Sequence, residues 1–423
     1  MGWSLSHTIS AGTAGDSGTW VQKGQVAPLA SWPILWGDPS ITASRRSQNF
    51  FFMSNLAVPA TDAQLVNFGC VYDLETALAG ACIARSSDNA QTFSVEQCIS
   101  NAGHFYDGSS MDTGVYGEVF AAYRDVNTSK IDVWCAPDET GVLTQIADPF
   151  AGMPAYPGDV MTSHPRIRTD YKSTDLYAVA QAGGDQKLYI THYTHNANDC
   201  AGSWSTPKVV GSDSQNFGAV IQLSDRAVRN GPEFAFDIGE PSGAETNDDI
   251  RFLYTVATGT NRTAVHGAAC DRDLKHCHTV SGWRSETAGP GGGYIGNQFH
   301  PSIKAFPGYL SWYAPSWSGS YFSTENNPTG NVVSVQKAAP LYIGTTAYLL
   351  KSQLVTDQTP CTGTNKAGGY WSDYDDLQLA YVSRTTGVKW ITSFPDSDTG
   401  YGACVQSTDT GKPDHTSTFK FSN

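Results

Sequence analysis

Long apolar runs are missing from this sequence: no stretch of about 18 consecutive apolar residues occurs, so no membrane-spanning helix is expected. Basic charge is scarce as well. Only 16% of residues are charged, and 26 Lys and Arg stand against 40 Asp and Glu, a net charge of −14. A phosphate backbone needs a basic footprint, so nucleic acid is excluded as a partner. The same balance weighs against a polyanionic ligand unless a local basic patch overrides it. None of the nine cysteines forms a Cys-x-x-Cys pair, which removes zinc ribbons and thioredoxin-like chemistry. No segment carries the period of a long amphipathic helix. The first residues, MGWSLSHTISAG, have neither a basic region nor an apolar one, so any secretory leader is expected to have been removed.

Short runs rich in Val, Thr, Tyr, Trp and Phe fill the chain instead, separated by clusters of Gly, Asn, Asp and Ser. This composition reads as all-β. With 423 residues, 40% of them hydrophobic, the chain can bury a large core. Cys270 and Cys277 flank the six residues DRDLKH and suit a disulfide across a hairpin, and Cys70 with Cys82 suggests a similar pair. The odd cysteine total leaves at least one thiol without a partner in the chain. Two sequons, Asn127–Thr128–Ser129 and Asn261–Arg262–Thr263, fall in expected turns. Low charge with many Ser, Thr, Asn and Gly residues suits a secreted, extracellular protein.

The phrase HPRIR at His164 returns as HPSIK at His300. Related phrases are DPSIT at Asp38 and GPEFA at Gly231, with weaker copies GSSMD at Gly108 and YDDLQ at Tyr374. Anchored on their second residues, 39, 109, 165, 232, 301 and 375, the copies step by 70, 56, 67, 69 and 74 residues. Such a loose period signals a repeat architecture. Several β-like runs follow each anchor, and four short antiparallel strands per unit make a propeller blade. The expectation is therefore one β-propeller over residues 1–423. Its four-stranded antiparallel blades begin near 38, 108, 164, 231, 300 and 374, and residues 1–30 help close the ring or supply part of a seventh blade.

The segment SSDNAQTF, residues 86–93, resembles the Asp-box of sialidase-like propellers, with Ala90 in the glycine position. NQFHPSIKAFPGYLSWY and YWSDYDDLQLAYV similarly resemble blade openings of secreted proteins of that superfamily. The resemblance implies a propeller in which this box turns between the third and fourth strands, away from any active site. In such folds the loop leading into the innermost strand, and the loop joining strands two and three, open on the face that carries the site.

Those loops would gather Trp36, Asp38, His104, Tyr106, Asp107, His164, Arg166, Arg229, His300, Asp373 and Tyr374. The second–third loop of the fifth unit would add Trp317 and Tyr321 as flat surfaces for stacking on sugar rings. One histidine alone reads as a strand cap, but three of the ten arriving at one rim make a polar pocket suited to a carbohydrate. The combination resembles that of propeller-fold polysaccharide lyases. In β-elimination on a uronate, Arg166 or Arg229 would neutralise the carboxylate. His104, His164 or His300 would take the C5 proton, and Tyr106 or Tyr374 would protonate the leaving oxygen. Asp38, Asp373, Trp36, Trp317 and Tyr321 would bind the substrate. Elimination requires no cofactor, although His104, His164 and His300 with Asp38 or Asp373 would form an imidazole-rich ring of the kind that selects a transition metal.

A secreted polysaccharide lyase acting as a monomer on a uronate-containing poly- or oligosaccharide ranks first. A lectin-like propeller ranks second, because lectin propellers usually repeat near-identical pockets and these copies diverge. A sialidase-like exo-glycosidase ranks third, since GDPSITASRR has no Arg-Ile-Pro opening.

Overall fold

In the computed structural model, the described residues are 2–5, 21–47, 49–61, 66–67, 70–71, 79–100, 104–151, 153, 164–182, 187–211, 221–223, 226–228, 234–239, 249–259, 262–285, 298–305, 317–323, 333–343, 346–358, 376–383, 387–396 and 415–422. In the strands beyond 305 only the backbone course is described. Every regular element among them is a strand. Short β-branched and aromatic runs between turn residues leave no helical period, and the backbone follows.

Six consecutive antiparallel sheets follow the repeat. Their opening strands are Ile34–Ala43, Tyr106–Thr113, Arg166–Thr169, Phe234–Ile238, Gln298–Ala305 and Asp376–Ser383. Each of the six sequence anchors falls within or just before one of these strands. Within every sheet the strands pair in chain order. The third sheet adds a fifth strand, Lys208–Val209, and the sixth has three among the described residues. The chain divides into two compact units. Residues 1–6 and 20–209 carry sheets one to three, and residues 7–19 and 210–423 carry sheets four to six.

Inside the first unit neighbouring sheets face one another across apolar cores. Phe52, Leu56, Ile83, Tyr106, Met111 and Tyr123 fill the space between sheets one and two. Phe120, Ile131, Val133, Ile167, Leu176 and Ala178 fill that between sheets two and three. The opening strands are joined by side chains rather than by a ladder. Met111 N–H donates to Ser40 Oγ (3.0 Å), and Ile167 N–H donates to Ser110 Oγ (3.0 Å). Ser40 and Ser110 both follow their anchors by one residue, so the repeat reuses one bond. Two further contacts, Thr113 Oγ1 to Ala43 O and Thr169 N to Asp112 Oδ2, advance in the same direction along each pair. The three opening strands thus run side by side in one sense, and the loops leading into them open at one end.

The second unit repeats the device where Ala305 N–H donates to Asp237 Oδ2 at 2.8 Å. Ala305 matches Thr169, each four residues past its anchor, so Asp237 matches Asp112. That match puts the fourth copy's register two residues later than its Gly-Pro anchor. A two-residue slip keeps every side chain on its face, which is why the strand still packs correctly.

Three disulfides are present: Cys82–Cys98, Cys135–Cys200 and Cys270–Cys277. The Cys270–Cys277 bond bridges register partners across a hairpin, as its spacing predicts. The Cys70–Cys82 pairing is corrected. Cys82 stands opposite Cys98 on adjacent strands, and this cross-strand neighbour takes the bond in place of the cysteine closer in sequence. Cys361 and Cys404 lie outside the described residues. Peptide mapping under non-reducing conditions is expected to recover these three pairs, and free thiols at Cys270 and Cys277 would contradict the hairpin.

The segment 86–93 turns between the third and fourth strands of the first sheet. Asp88 closes it, accepting from Gln91 N, Thr92 N and Thr92 Oγ1, while Asn89 and Ala90 take positive φ. These bonds to the charged form hold the Asp88 carboxyl down at about 2. The corresponding turn of the second sheet is closed by Asp138, which accepts from Thr140 N at 2.7 Å.

Candidate functional site

One end of the second sheet concentrates the titratable groups. The register places Tyr106 and Lys130 opposite Asp125, so the start of the opening strand and the turn between strands two and three meet there. His104, two residues before the strand, pairs through Nδ1 with Asp125 Oδ2. Asp125 is almost wholly buried. It also accepts from Asn127 N (3.0 Å), Thr128 N (3.3 Å) and Thr128 Oγ1 (2.5 Å), while Asn127 Oδ1 accepts from Phe105 N at 2.7 Å. An Asp followed by Asn-Thr folds back on its own backbone readily, and here the turn fixes the carboxylate that the histidine meets. An ionised carboxylate accepts only, so a hydrogen on His104 Nδ1 completes this pair and Nε2 is the nitrogen left for other partners.

A second pair stands beside the first. His164, immediately before the third sheet's opening strand, lies with Nε2 3.4 Å from Asp107 Oδ2. Both His164 and Asp107 are partly exposed. Asp107 is three residues after His104, so the two pairs share one loop-and-strand start. Pro165 and Ile167 are buried, Ile167 against the second sheet. His-Pro-x-Ile therefore packs the strand and aims the histidine at the preceding sheet.

Two more carboxylates belong to this end. Burial raises the Asp132 carboxyl above its ordinary value, and Asp125 nearby adds to that rise against the bond from Tyr106. Burial raises Asp148 as well.

The structure corrects Tyr106. Its ring is fully buried, stacked on Tyr123 at 5.2 Å, and its hydroxyl donates to Asp132 at 2.9 Å. Burial, and then the charge of Asp132, push the phenol far above its ordinary value. A core phenol held in that way does not protonate a leaving group. Arg166 is half-buried at the start of the third sheet's opening strand, two residues past His164, with Val179 as its register partner. The side chains of Trp36, Asp38, His300, Trp317 and Tyr321 lie outside the described residues, as do Arg229, Asp373 and Tyr374 altogether. Among the described residues no three His, Cys, Asp or Glu side chains are arranged to hold a metal ion. His192 and His195 lie on the third sheet's third strand, which runs toward the opposite end, and His276 and His278 are exposed on the hairpin.

Asp125, and the pairing of Asp107 with His164, are the features that the sequence reading passed over. The signal for the first was RDVNTS, an Asx-type turn directly after an apolar run.

No protein family and no curated protein matches the chain by sequence. Similar solved structures include the GH93 α-L-arabinofuranosidase of Fusarium graminearum with arabinobiose. It is 10% identical, covers 94% of this chain and 96% of its own, and superposes with a TM-score of 0.47. An α-L-arabinanase of Penicillium chrysogenum is 12% identical over 94% and 96%, with a TM-score of 0.44. An exo-β-1,3-galactanase from Clostridium thermocellum is 11% identical over 94% and 85%, with a TM-score of 0.36. These superpositions are too loose to assign chemistry.

Proposed function

We propose that the chain is a secreted, glycan-processing β-propeller enzyme of six blades, with its site where the loops leading into the first unit's opening strands emerge. The observation that carries this reading is the two histidine–carboxylate pairs, His104–Asp125 and His164–Asp107, built at one end of adjacent sheets. A histidine oriented by a carboxylate through one nitrogen presents the other as a base of fixed direction. Here the histidines are the partly exposed groups, whereas Asp125 and Asp132 are buried and engaged. That distribution favours proton abstraction by imidazole, and with it β-elimination on a uronate. His104 Nε2 takes the C5 proton, the electrons form the C4–C5 double bond, and the C4–oxygen bond breaks. The leaving oxygen receives its proton from protonated His164 through Nδ1, the role lost to Tyr106. Arg166, two residues past His164, is assigned to the substrate carboxylate. The three disulfides support secretion.

A glycoside hydrolase is the second reading. It is favoured by the carboxylates at this end, with Asp132 and Asp148 raised by burial as a general acid requires. One experiment separates the two. Purified protein is incubated with a panel of uronate-containing and neutral polysaccharides, and both ultraviolet absorbance and reducing ends are followed. Elimination is expected to raise both together on a uronate polymer. Reducing ends without absorbance establish hydrolysis, and neither signal on any glycan overturns the enzyme reading.

A further inference from the structure

The His164 ring rests on a residue with no side chain. Gly108 occupies the repeat position that holds histidine in the third and fifth copies, and it takes φ +57° at the register shift between the first two strands of its sheet. A Cβ built on Gly108 would lie 2.2 Å from His164 Cγ, 2.4 Å from Cδ2 and 2.6 Å from Cβ. Real atoms do not approach so closely, so any side chain at 108 must drive the ring away. The preceding residue, Asp107, is the one that meets His164 Nε2. One step of the second sheet therefore supplies both the surface under the imidazole and the carboxylate beside it. The local register shift is what turns that step toward the third sheet, in the way that bulges re-aim side chains.

We propose that Gly108 is a positioning residue, the seat that fixes the His164 imidazole against Asp107. The proposal rests on the reading of His164 as a proton-transfer group, but the seat itself is tested without any activity. Gly108→Ala combines two costs, the positive φ and the collision with the ring. Gly108→Asn keeps the collision while tolerating the positive φ better. A double-mutant cycle isolates the collision, because His164→Ala removes the ring and leaves the backbone cost in place.

Thermal midpoints are measured for wild type, Gly108→Ala, His164→Ala and the double variant. Gly108→Ala is expected to lower the midpoint by about 5 °C, and by less than half of that in the His164→Ala background. Equal losses in both backgrounds overturn the seat. Should Gly108→Ala fail to fold, the double variant is expected to fold, and failure of both overturns the proposal. Long-range 15N–1H correlation of the imidazoles gives the spectroscopic readout. In spectra recorded where the imidazole is neutral, His164 is expected to show one tautomer, with hydrogen on Nε2, in wild type, and to lose that preference in Gly108→Ala and Gly108→Asn. Unchanged ring signals in both variants also overturn it. On a polysaccharide that the enzyme turns over, both variants are expected to lower kcat by tenfold or more with KM held. A displaced ring with unchanged kcat would keep the seat and remove the catalytic reading of His164.

Discussion

Asp112→Ala is expected to cost about 3–5 kcal/mol of folding stability, the scale for stripping one partner from a buried ionic network. Asp112 is buried on the second sheet's opening strand and ties three sheets together. Its Oδ2 accepts from Thr169 N (2.8 Å), Thr169 Oγ1 (3.2 Å) and Arg45 Nη2 (3.0 Å), and its Oδ1 accepts from Thr113 N (2.9 Å). Arg45, from the loop after the first sheet's opening strand, also donates to Thr169 O and stacks over Tyr171. Alanine would leave that guanidinium without its carboxylate and the buried Thr169 N–H without an acceptor. Denaturant midpoints on wild type and variant provide the measurement, and a change under about 1 kcal/mol would show that the network contributes little. The effect should depend on pH. Burial opposes ionisation of Asp112, but Arg45, then Arg168, and bonds from Thr169 and Thr113 outweigh it and hold the carboxyl below its ordinary value. A folded value lower than the unfolded one, near 3.9, means the stabilisation is complete above about pH 4 and is lost as pH falls through the folded value. The gap between wild type and Asp112→Asn should accordingly narrow in acid.

The repeat was legible because its residues perform the packing. Ile167 and Ile303 are buried where His-Pro-x-Ile places them, and Ser40 and Ser110 hold equivalent positions and make equivalent bonds. All six opening strands lie at or next to the anchors, although Ile41, the matching apolar residue of the first copy, is 59% exposed. The fourth anchor slipped by two residues, and the Asp237–Ala305 bond reveals the offset. The site was half legible. Proline pins the extended geometry of the residue ahead of it, so the direction of His164 could be anticipated. Nothing local in Tyr106 says that its ring will lie on Tyr123, because that contact needs the register of two strands. Asp125 was hidden for the opposite reason. An acid in a turn usually caps the backbone, and this one caps it and holds His104 at once. Cys98 lost to Cys70 on sequence distance, while the sheet judges neighbours by register.

His104→Ala and His164→Ala are each expected to lower turnover by roughly a hundredfold or more on any polysaccharide the wild type processes. Folding should survive both changes, since each ring is about 30% exposed and neither belongs to an apolar core (29% for His104, 30% for His164). Circular dichroism and thermal midpoints check that condition. The sharper test of mechanism is Asp125→Asn. Asparagine keeps the size of the side chain and an oxygen for the turn, but its amide donates where the carboxylate accepted. With that donor facing Nδ1, the imidazole turns to the other tautomer, and Nε2 carries a hydrogen instead of a lone pair. A base blocked in this way should lose nearly as much kcat as the His104→Ala variant, with KM little changed because no contact to substrate is removed. If Asp125 only staples the turn, Asp125→Asn should keep its activity while its thermal midpoint falls. Unchanged turnover in His104→Ala and His164→Ala together would return both histidines to the role of strand caps and move the chemistry to the carboxylates of the same end, with Asp107 the first to be substituted.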